Sequence, residues 1–338
     1  MCRRSTFCVT TMPVFMEENS DLMEKVLMRF LEPMDIANKT IYSLKQLLPV
    51  AEQGGFAVGA FSPRFTGLIG AVLQGAEATR SPVIVQVAQL ELQWYQVTVE
   101  EFARKFWLQM EKMQPTVPVG LHLDHSSDFG LIQAALASGF SSVMLDASAL
   151  PLERNIAETR QAVEFAHARG ASVEAELGRI GSADLVETET DEELFTDPQE
   201  AAYFVEQTGV DALAVSVGTA HGVYRVRQPR IDLERLKAIR ALTLVPLVLH
   251  GGSGTPLGMV RSAIQLPEGG VSKVNFATDL ELAFLNELGL KERTTEAALT
   301  SQPPEALERG VQAVRKVVED KIVHFLASDG HAQDYKME

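Results

Sequence analysis

Three histidines in this sequence follow three separate apolar runs, and each stands beside small or acidic residues. They are His125, His221 and His250. Neutral imidazoles on a rigid scaffold can occupy three positions of a tetrahedral metal site and leave the fourth open for a substrate, and zinc suits such a ligand set. Any one of them could instead be a hydrogen-bonded rim histidine, but their shared placement favours a catalytic zinc site.

Carboxylates accompany these histidines. Asp124 directly precedes His125 and could be a general acid or base beside a metal-bound carbonyl compound, or it could orient a ligand histidine. Asp146 and Glu176 offer hard oxygen ligands for a second cation or for the same metal in another position, although a buried hydrogen-bonding pair fits their spacing equally well. His122 lies deeper in its run and is predicted to be a structural hydrogen-bonding histidine.

Two glycine-containing segments predict a phosphate site. HGGSG (250–254) and KVNFATD (273–279) lie at the ends of the last two apolar runs. Glycines leave backbone N–H groups free to converge on an anion, and the hydroxyls of Ser253 and Thr278 add donors. Tight turns without a ligand would explain either segment alone, whereas two on adjacent late strands favour a phosphate cradle.

Eight short apolar runs, separated by helical patterns, predict the scaffold that positions these residues. The runs are near-continuous rather than alternating, which is typical of strands buried on both faces of a parallel sheet. They cover residues 56–61, 82–87, 118–124, 142–147, 172–178, 212–218, 246–252 and 273–278. Eight such units predict an α/β protein with a single-domain (β/α)8 TIM barrel, whose reactive residues gather at the carboxyl ends of the strands. A doubly wound open sheet is the alternative.

The predicted organisation has three parts: an N-terminal extension over residues 1–38, a barrel with C-terminal helices over 39–322, and a tail over 323–338. The extension is predicted to be non-catalytic, or to be an over-extended start upstream of Met34. The longest connection, 178–198, is polar, acidic and glycine-containing. Long connections in compact domains are often functional, so we expect a mobile loop there.

Composition restricts the partners. The 338 residues carry 30 Lys and Arg against 45 Asp and Glu, a formal net charge of −15. This balance argues against nucleic acid and against an anionic membrane surface, because both require clustered basic residues. The chain has no run of eighteen apolar residues that would predict a transmembrane helix. Both cysteines lie in the first ten residues, and no secretory signal is recognisable, so we expect a cytoplasmic protein.

Six motifs carry a family likeness: HLDH, SVMLDAS, SVEAELGRIG, GTAHG, HGGSG and KVNFATD, in this order. Together they resemble the class II, metal-dependent ketose-bisphosphate aldolases over roughly residues 40–322. The resemblance implies that the three histidines bind the catalytic zinc and that Asp124 is the proton donor and acceptor. It also implies that Asp146 and Glu176 match a second metal position.

The same resemblance implies contacts to the phosphorylated ketone dihydroxyacetone phosphate. The matching positions are Gly222, Gly251, Gly252, Ser253, Asn275, Phe276, Ala277 and Thr278. Zinc would polarise the ketone carbonyl as a Lewis acid, and Asp124 would protonate the oxygen of the aldehyde partner. Because members of the family are dimers or tetramers, we expect a homodimer or homotetramer.

Four positions depart from the family pattern. Ser62 stands where the family usually has an asparagine, and we keep it as a substrate contact. Residues 181–184 replace a loop motif whose glutamate moves protons, so Asp184 would act there with a shorter reach. Ala147-Ser148 replaces Gly-Ser. Glu319 stands where tagatose-type members carry an arginine for the distal phosphate, and a carboxylate there would repel a phosphate.

The sequence therefore predicts a zinc-dependent lyase that reversibly cleaves a ketose phosphate, similar to fructose or tagatose 1,6-bisphosphate, into dihydroxyacetone phosphate and an aldehyde. The identity of the aldehyde stays open. Arg64 is either a contact for an anionic acceptor or a solvated loop arginine. Two alternatives stand beside this prediction: a catalytically silent regulatory or scaffold subunit, and another metal-dependent sugar-phosphate lyase or epimerase. The retained histidines and Asp124 argue against the silent subunit.

Overall fold

Eight parallel strands close into a barrel, in which each strand pairs with its neighbours in sequence and the last pairs with the first. The computed structural model describes residues 41–179, 194–222 and 229–336. The strands are β1 (Val58–Phe61), β2 (Val83–Ala88), β3 (Val119–Ser126), β4 (Ser142–Leu145), β5 (Ser172–Leu177), β6 (Ala212–Val215), β7 (Leu247–Leu249) and β8 (Val271–Phe276).

Each of the eight predicted runs overlaps one of these strands, so the predicted TIM barrel is confirmed. The open-sheet alternative is wrong, because Gly59 and Ala60 of β1 lie in register with Val274 and Asn275 of β8. Several strands end before their apolar runs do. β4 stops at Leu145, for example, because the next residue, Asp146, turns out of the ladder and serves the site.

Helices connect the strands on the outside of the barrel. They are α1 (Leu44–Gly54), α2 (Ile69–Thr79), α3 (Gln89–Tyr95), α4 (Val99–Met113), α5 (Phe129–Ala137), α6 (Leu152–His167), α7 (Pro198–Thr208), α8 (Leu233–Leu242), α9 (Leu257–Ile264), α10 (Thr278–Glu287), α11 (Glu296–Thr300) and α12 (Pro304–Asp320). Aspartates cap three of them: the side chains of Asp128, Asp197 and Asp232 accept hydrogen bonds from the first-turn N–H groups of α5, α7 and α8. Such caps satisfy donors that a helix leaves unpaired.

Helix α1 fills the amino-terminal mouth of the barrel. Its buried Leu44, Leu47 and Leu48 belong to one apolar cluster with interior strand residues such as Ile84 and Met144. Burying each such side chain contributes roughly 1.5–3 kcal/mol. Because this mouth is filled by apolar side chains, polar chemistry is confined to the opposite mouth, where the strands end.

Residues beyond α12 pack onto the barrel. A π-helical turn, Lys321–Leu326, places the Leu326 carbonyl where it accepts a hydrogen bond from the Ala57 N–H (3.1 Å). The Tyr335 ring is buried, and its hydroxyl donates to the Leu47 carbonyl (3.0 Å). The predicted extension over residues 1–38 and most of the predicted loop over 178–198, including Asp184, lie outside the described residues. Among the described helices none is long and apolar enough to cross a membrane.

Candidate active site and metal centre

The three histidines meet at the carboxyl end of the barrel. His125 lies in β3, His221 follows β6 and His250 follows β7 directly. Their ring centroids are 4.5–5.6 Å apart, and one nitrogen from each lies within 4.8 Å of the others. Tertiary structure thus brings together residues that are up to 125 positions apart in the chain, as 250 − 125 gives.

A bulge in β3 allows two consecutive residues to serve this mouth. Leu123 pairs with Val143 and Ser126 pairs with Leu145, so β3 carries one extra residue between these pairs. His125 itself has a φ of 38°, in the left-handed region that costs a side chain energy. In a regular strand Asp124 and His125 would point to opposite faces, and the bulge removes this restriction.

The hydrogen bonds of the histidines fix which nitrogen faces the centre. His250 Nε2 lies 2.8 Å from Glu174 Oε1, and its Nδ1 lies 3.5 Å from Glu176 Oε2. That Nδ1 is buried and has no hydrogen-bond partner among the described residues. His125 Nδ1 lies 2.8 Å from Asp146 Oδ2, so its Nε2 faces His221 Nε2 at 3.2 Å. Three imidazole nitrogens that converge on one point fit the ligand set of a divalent metal ion such as zinc.

Electrostatics support a cation at this point. Burial lowers the pKa of His125, but the carboxylates of Asp124, Asp146 and Glu176 outweigh it and raise this pKa to about 10. Burial and the charge on His125 together lower the pKa of His221 to about 3. The carboxylates that raise this pKa surround the point where the histidines meet, and such an environment stabilises a bound cation.

Asp146 and Glu176 lie on the other side of His125. His125 Nδ1 is 2.8 Å from Asp146 Oδ2 and 3.9 Å from Glu176 Oε2, and the three form a second group able to hold a metal ion. Ser148, one of the departures from the family pattern, donates a hydrogen bond to Asp146 Oδ1 (2.7 Å). Asp146 therefore orients His125, and together with Glu176 it offers oxygen ligands for a cation.

Asp124 is held by two amide side chains. The Gln86 amide donates to Oδ2 (3.1 Å), and the Asn275 amide donates to Oδ1 and Oδ2 (3.2 and 3.3 Å). The carboxylate is buried yet lines the cavity in front of the histidines. It is therefore fixed in position and accessible to a substrate, as a general acid or base must be.

A fully buried lysine lies beneath the histidines. Lys273 Nζ is 2.9 Å from Glu174 Oε2 and 4.0 Å from Asp124 Oδ1. Glu174 contacts His250, so one buried ion pair supports both the metal site and Asp124. His122, buried with Nδ1 2.9 Å from Ser142 Oγ, packs beside Glu174 at 3.6 Å. This agrees with the structural role predicted for His122.

The turn after β7 faces the start of α10. Ser253 Oγ accepts hydrogen bonds from the N–H groups of Ala277 and Asp279 (both 3.2 Å), and Gly252 N–H donates to the Asn275 carbonyl (3.0 Å). Thr278 begins α10, whose N-terminal end favours an anion. The two predicted phosphate-binding segments are thus one continuous surface.

One cavity of about 320 Å³ connects these parts. The predicted residues that line it are Ser62, Asp124, His125, Asp146, His221, Gly222, Gly251, Ser253, Asn275, Ala277 and Thr278. His250, Glu176, Gly252 and Phe276 lie behind the lining. The Phe276 ring stacks on Phe61 (5.6 Å) in the core, so only its backbone can serve a ligand.

Glu319, which stands where tagatose-type members carry an arginine, forms an ion pair with Arg315 on α12 (2.7 Å).

Arg64 is not a solvated loop arginine. Its side chain is 9% exposed and forms ion pairs with Glu91 (2.6 Å) and Glu281. Sequence reasoning missed these partners, as well as Lys273 and Gln86. A lone lysine inside the apolar run of β8 and a lone glutamine inside that of β2 were the available signals, because polar residues in doubly buried strands need partners.

Replacing Gly251 by alanine should push apart the two segments that carry His221 and His250. A Cβ at this position would lie 2.4 Å from the Ala220 carbonyl oxygen, next to His221, and the φ of 69° already disfavours a side chain. We expect a loss of about 1–3 kcal/mol of stability and less than one zinc per chain, measured by thermal unfolding and by metal analysis.

Gly209 supplies the matched control. It has a φ of 70° but open space around a Cβ, so Gly209→Ala carries the backbone cost without the clash. If the two variants had equal Tm values and full zinc, the close approach at Gly251 would not matter.

Comparison with known proteins identifies the family of this chain. Residues 42–331 match the sequence model of the family "Fructose-bisphosphate aldolase class-II". The chain belongs to the class II fructose-bisphosphate aldolase family, and it is a lyase of the aldolase type. A relative named fructose-bisphosphate aldolase, from Geobacillus stearothermophilus, is 38% identical over 298 residues, which cover 87% of this chain and 100% of the relative.

Solved structures of other aldolases share the fold of this chain. The crystal structure of the YdjI aldolase from Escherichia coli K12 is 34% identical, with a TM-score of 0.72, over 87% of this chain and 100% of that one. Fructose-bisphosphate aldolase (Fba) from Campylobacter jejuni, at 24% identity, shows the fold alone, with a TM-score of 0.67 over 87% of this chain and 99% of that one.

Proposed function

We propose that this aldolase is zinc-dependent and reversibly cleaves a ketose phosphate into dihydroxyacetone phosphate and an aldehyde. The observation that carries the proposal is the convergence of three imidazole nitrogens beside the fixed carboxylate of Asp124. His125 and His221 offer Nε2, and His250 offers Nδ1. The chemistry that a bound zinc supplies here is Lewis acidity toward the ketone carbonyl, which acidifies the adjacent C–H bond.

Asp124 handles the proton on the aldehyde side. In the cleavage direction it accepts the proton of the substrate hydroxyl, and in condensation it returns that proton to the aldehyde oxygen. The amides of Gln86 and Asn275 hold the carboxylate for this transfer. Lys273 Nζ lies 4.0 Å from Asp124 Oδ1 and balances the charge of this carboxylate. We assign removal of the C3 proton of dihydroxyacetone phosphate to Asp184.

The phosphate of the ketone is assigned to the surface formed by Ser253 and the start of α10 at Thr278. Support comes from the hydroxyl groups, from the N-terminal end of a ten-residue helix and from adjacency to the histidines in one cavity. Phosphate sites at the ends of the seventh and eighth strands recur in barrels of this type.

Proton exchange tests this proposal without knowledge of the aldehyde. The protein is incubated with dihydroxyacetone phosphate in heavy water, and loss of one C3 hydroxymethylene proton is followed by NMR. We expect stereospecific exchange that stops when a chelator removes the metal and returns when zinc is added, because enolisation needs the Lewis acid.

No exchange in protein shown to hold zinc would contradict the proposed ketone. Exchange that persists after complete metal removal would contradict the zinc assignment. Protein that neither purifies with zinc nor takes it up would support the silent subunit instead.

We further propose a cytoplasmic homodimer or homotetramer that binds a small sugar phosphate and neither nucleic acid nor a membrane. Support for this assembly comes from the family resemblance, and support for the excluded partners comes from the net charge of −15. Light scattering on the purified protein decides the assembly, since a monomer of 37.0 kDa would contradict it.

A further inference from the structure

An ion-pair cluster lies at one side of the cavity, where its members Arg64 and Glu91 line the surface and the other two pack behind them. Arg64 Nε lies 2.6 Å from Glu91 Oε1, and its Nη1 pairs with Glu281 Oε2. Glu281 also pairs with Arg293 (2.5 and 2.9 Å) and accepts a hydrogen bond from the Tyr95 hydroxyl (2.7 Å). We call these four charged residues, Arg64, Glu91, Glu281 and Arg293, the acceptor wall.

The acceptor wall has no net charge. Two arginines face two glutamates, and both carboxylates are already bonded to guanidinium groups. Although burial raises the pKa of Glu281, its arginine partners and Tyr95 lower it further, so this carboxylate stays ionised. Arg64 is the only arginine or lysine among the described residues that line the cavity. The described lining of the cavity therefore offers no uncompensated cationic side chain at the acceptor wall.

The remaining surface near the wall is largely apolar. Ala88, Leu90 and Trp94 line the cavity beside Arg64, and Trp94 also contacts the Arg293 guanidinium at 3.7 Å. These residues follow β1 and β2, whereas the surface assigned to the ketone phosphate lies after β7 and β8. The histidines and Asp124 lie in the same cavity with both regions. Among the described residues that line the cavity, those beside Arg64 belong to neither the histidine site nor the ketone-phosphate surface, and we assign the aldehyde to them.

We infer that the aldehyde partner is a neutral, unphosphorylated hydroxyaldehyde, selected by the neutralised Arg64. This inference rests on the proposed function. A phosphate group carries close to two negative charges and loses hydration when it enters a cavity, a cost that an uncompensated cation can repay or, as at the start of α10, the N-terminal end of a helix. Glu91 and Glu281 already take the charge of Arg64. A neutral hydroxyl group needs only hydrogen-bonding partners, such as Ser62 and the outer edge of the guanidinium.

Two aldehydes with one carbon skeleton test the inference. We compare kcat/KM for condensation of dihydroxyacetone phosphate with glyceraldehyde and with glyceraldehyde 3-phosphate. We expect the unphosphorylated aldehyde to be favoured by about tenfold or more. A preference for the phosphorylated aldehyde would overturn the inference. Exchange of the ketone proton in heavy water reports separately on the proposed function, so the two failures are distinguishable.

Variants that remove one negative charge from the acceptor wall test whether its neutrality causes the preference for an unphosphorylated aldehyde. Glu281→Gln and Glu91→Gln each release one positive charge while keeping the shape of the side chain. We expect each to shift the ratio of the two kcat/KM values toward glyceraldehyde 3-phosphate by about tenfold. Glu287→Gln is the control, because Glu287 lies on the same helix, α10, and pairs with Arg309 at the surface. An unchanged ratio in both wall variants, with unfolding temperatures near that of the parent, would also overturn the inference.

Discussion

Replacing Asp124 by asparagine should lower kcat for aldol cleavage by about 10²- to 10⁴-fold, the range that general acid–base catalysis contributes. Asparagine keeps the shape of the side chain but cannot accept the hydroxyl proton of the substrate. Its amide also opposes the donors of Gln86 and Asn275 that now bind the carboxylate. Because removal of the ketone C3 proton is assigned to Asp184, exchange of that proton in heavy water should persist in Asp124→Asn.

The measurement is a coupled cleavage assay run beside the exchange experiment, with zinc content determined for both proteins. Asp128→Asn is a suitable control, because Asp128 caps α5 through its side chain and asparagine caps equally well. Cleavage by Asp124→Asn within about threefold of the parent would remove Asp124 from the proton-transfer step. Loss of exchange together with cleavage would place the residue on the ketone side instead.

Replacing Lys273 by methionine should cost about 3–5 kcal/mol of stability, the cost of leaving one partner of a buried ion pair uncompensated. Lys273 and Glu174 are both fully buried, 2.9 Å apart. Because Glu174 also orients His250, zinc affinity should fall by about 10- to 100-fold, as for other groups that hold a ligand histidine. Denaturant unfolding and competition with a metallochromic chelator measure the two effects.

Two further variants separate charge from packing. Lys237→Met removes a lysine from an exposed pair with Glu234 and should leave the unfolding temperature unchanged. Glu174→Gln combined with Lys273→Met removes both buried charges and should recover much of the stability lost in the single variant. If the single variant unfolded at the parental denaturant concentration, the buried pair would not support the fold.

Much of the site could be predicted because its polar residues directly follow the apolar runs of the sequence. In a parallel barrel every strand ends at the same mouth, so residues that follow different strands must meet there. That rule alone predicts that His125, His221 and His250 lie together. It also placed Asp124 beside them and the two glycine-containing segments side by side. Residues whose role depends on partners from other strands, such as Lys273, gave no equally specific signal.

Apolar periodicity and motif position are local properties, and they were enough to predict the eight strands, their parallel order and the residues at the carboxyl mouth. The remaining features follow from tertiary contacts. The bulge at His125, the choice of Nδ1 on His250, the pairing of Lys273 with Glu174 and the neutralisation of Arg64 each depend on contacts between distant segments. The energies of such contacts arise from burial and from charge at short range, and neither exists until the chain has folded.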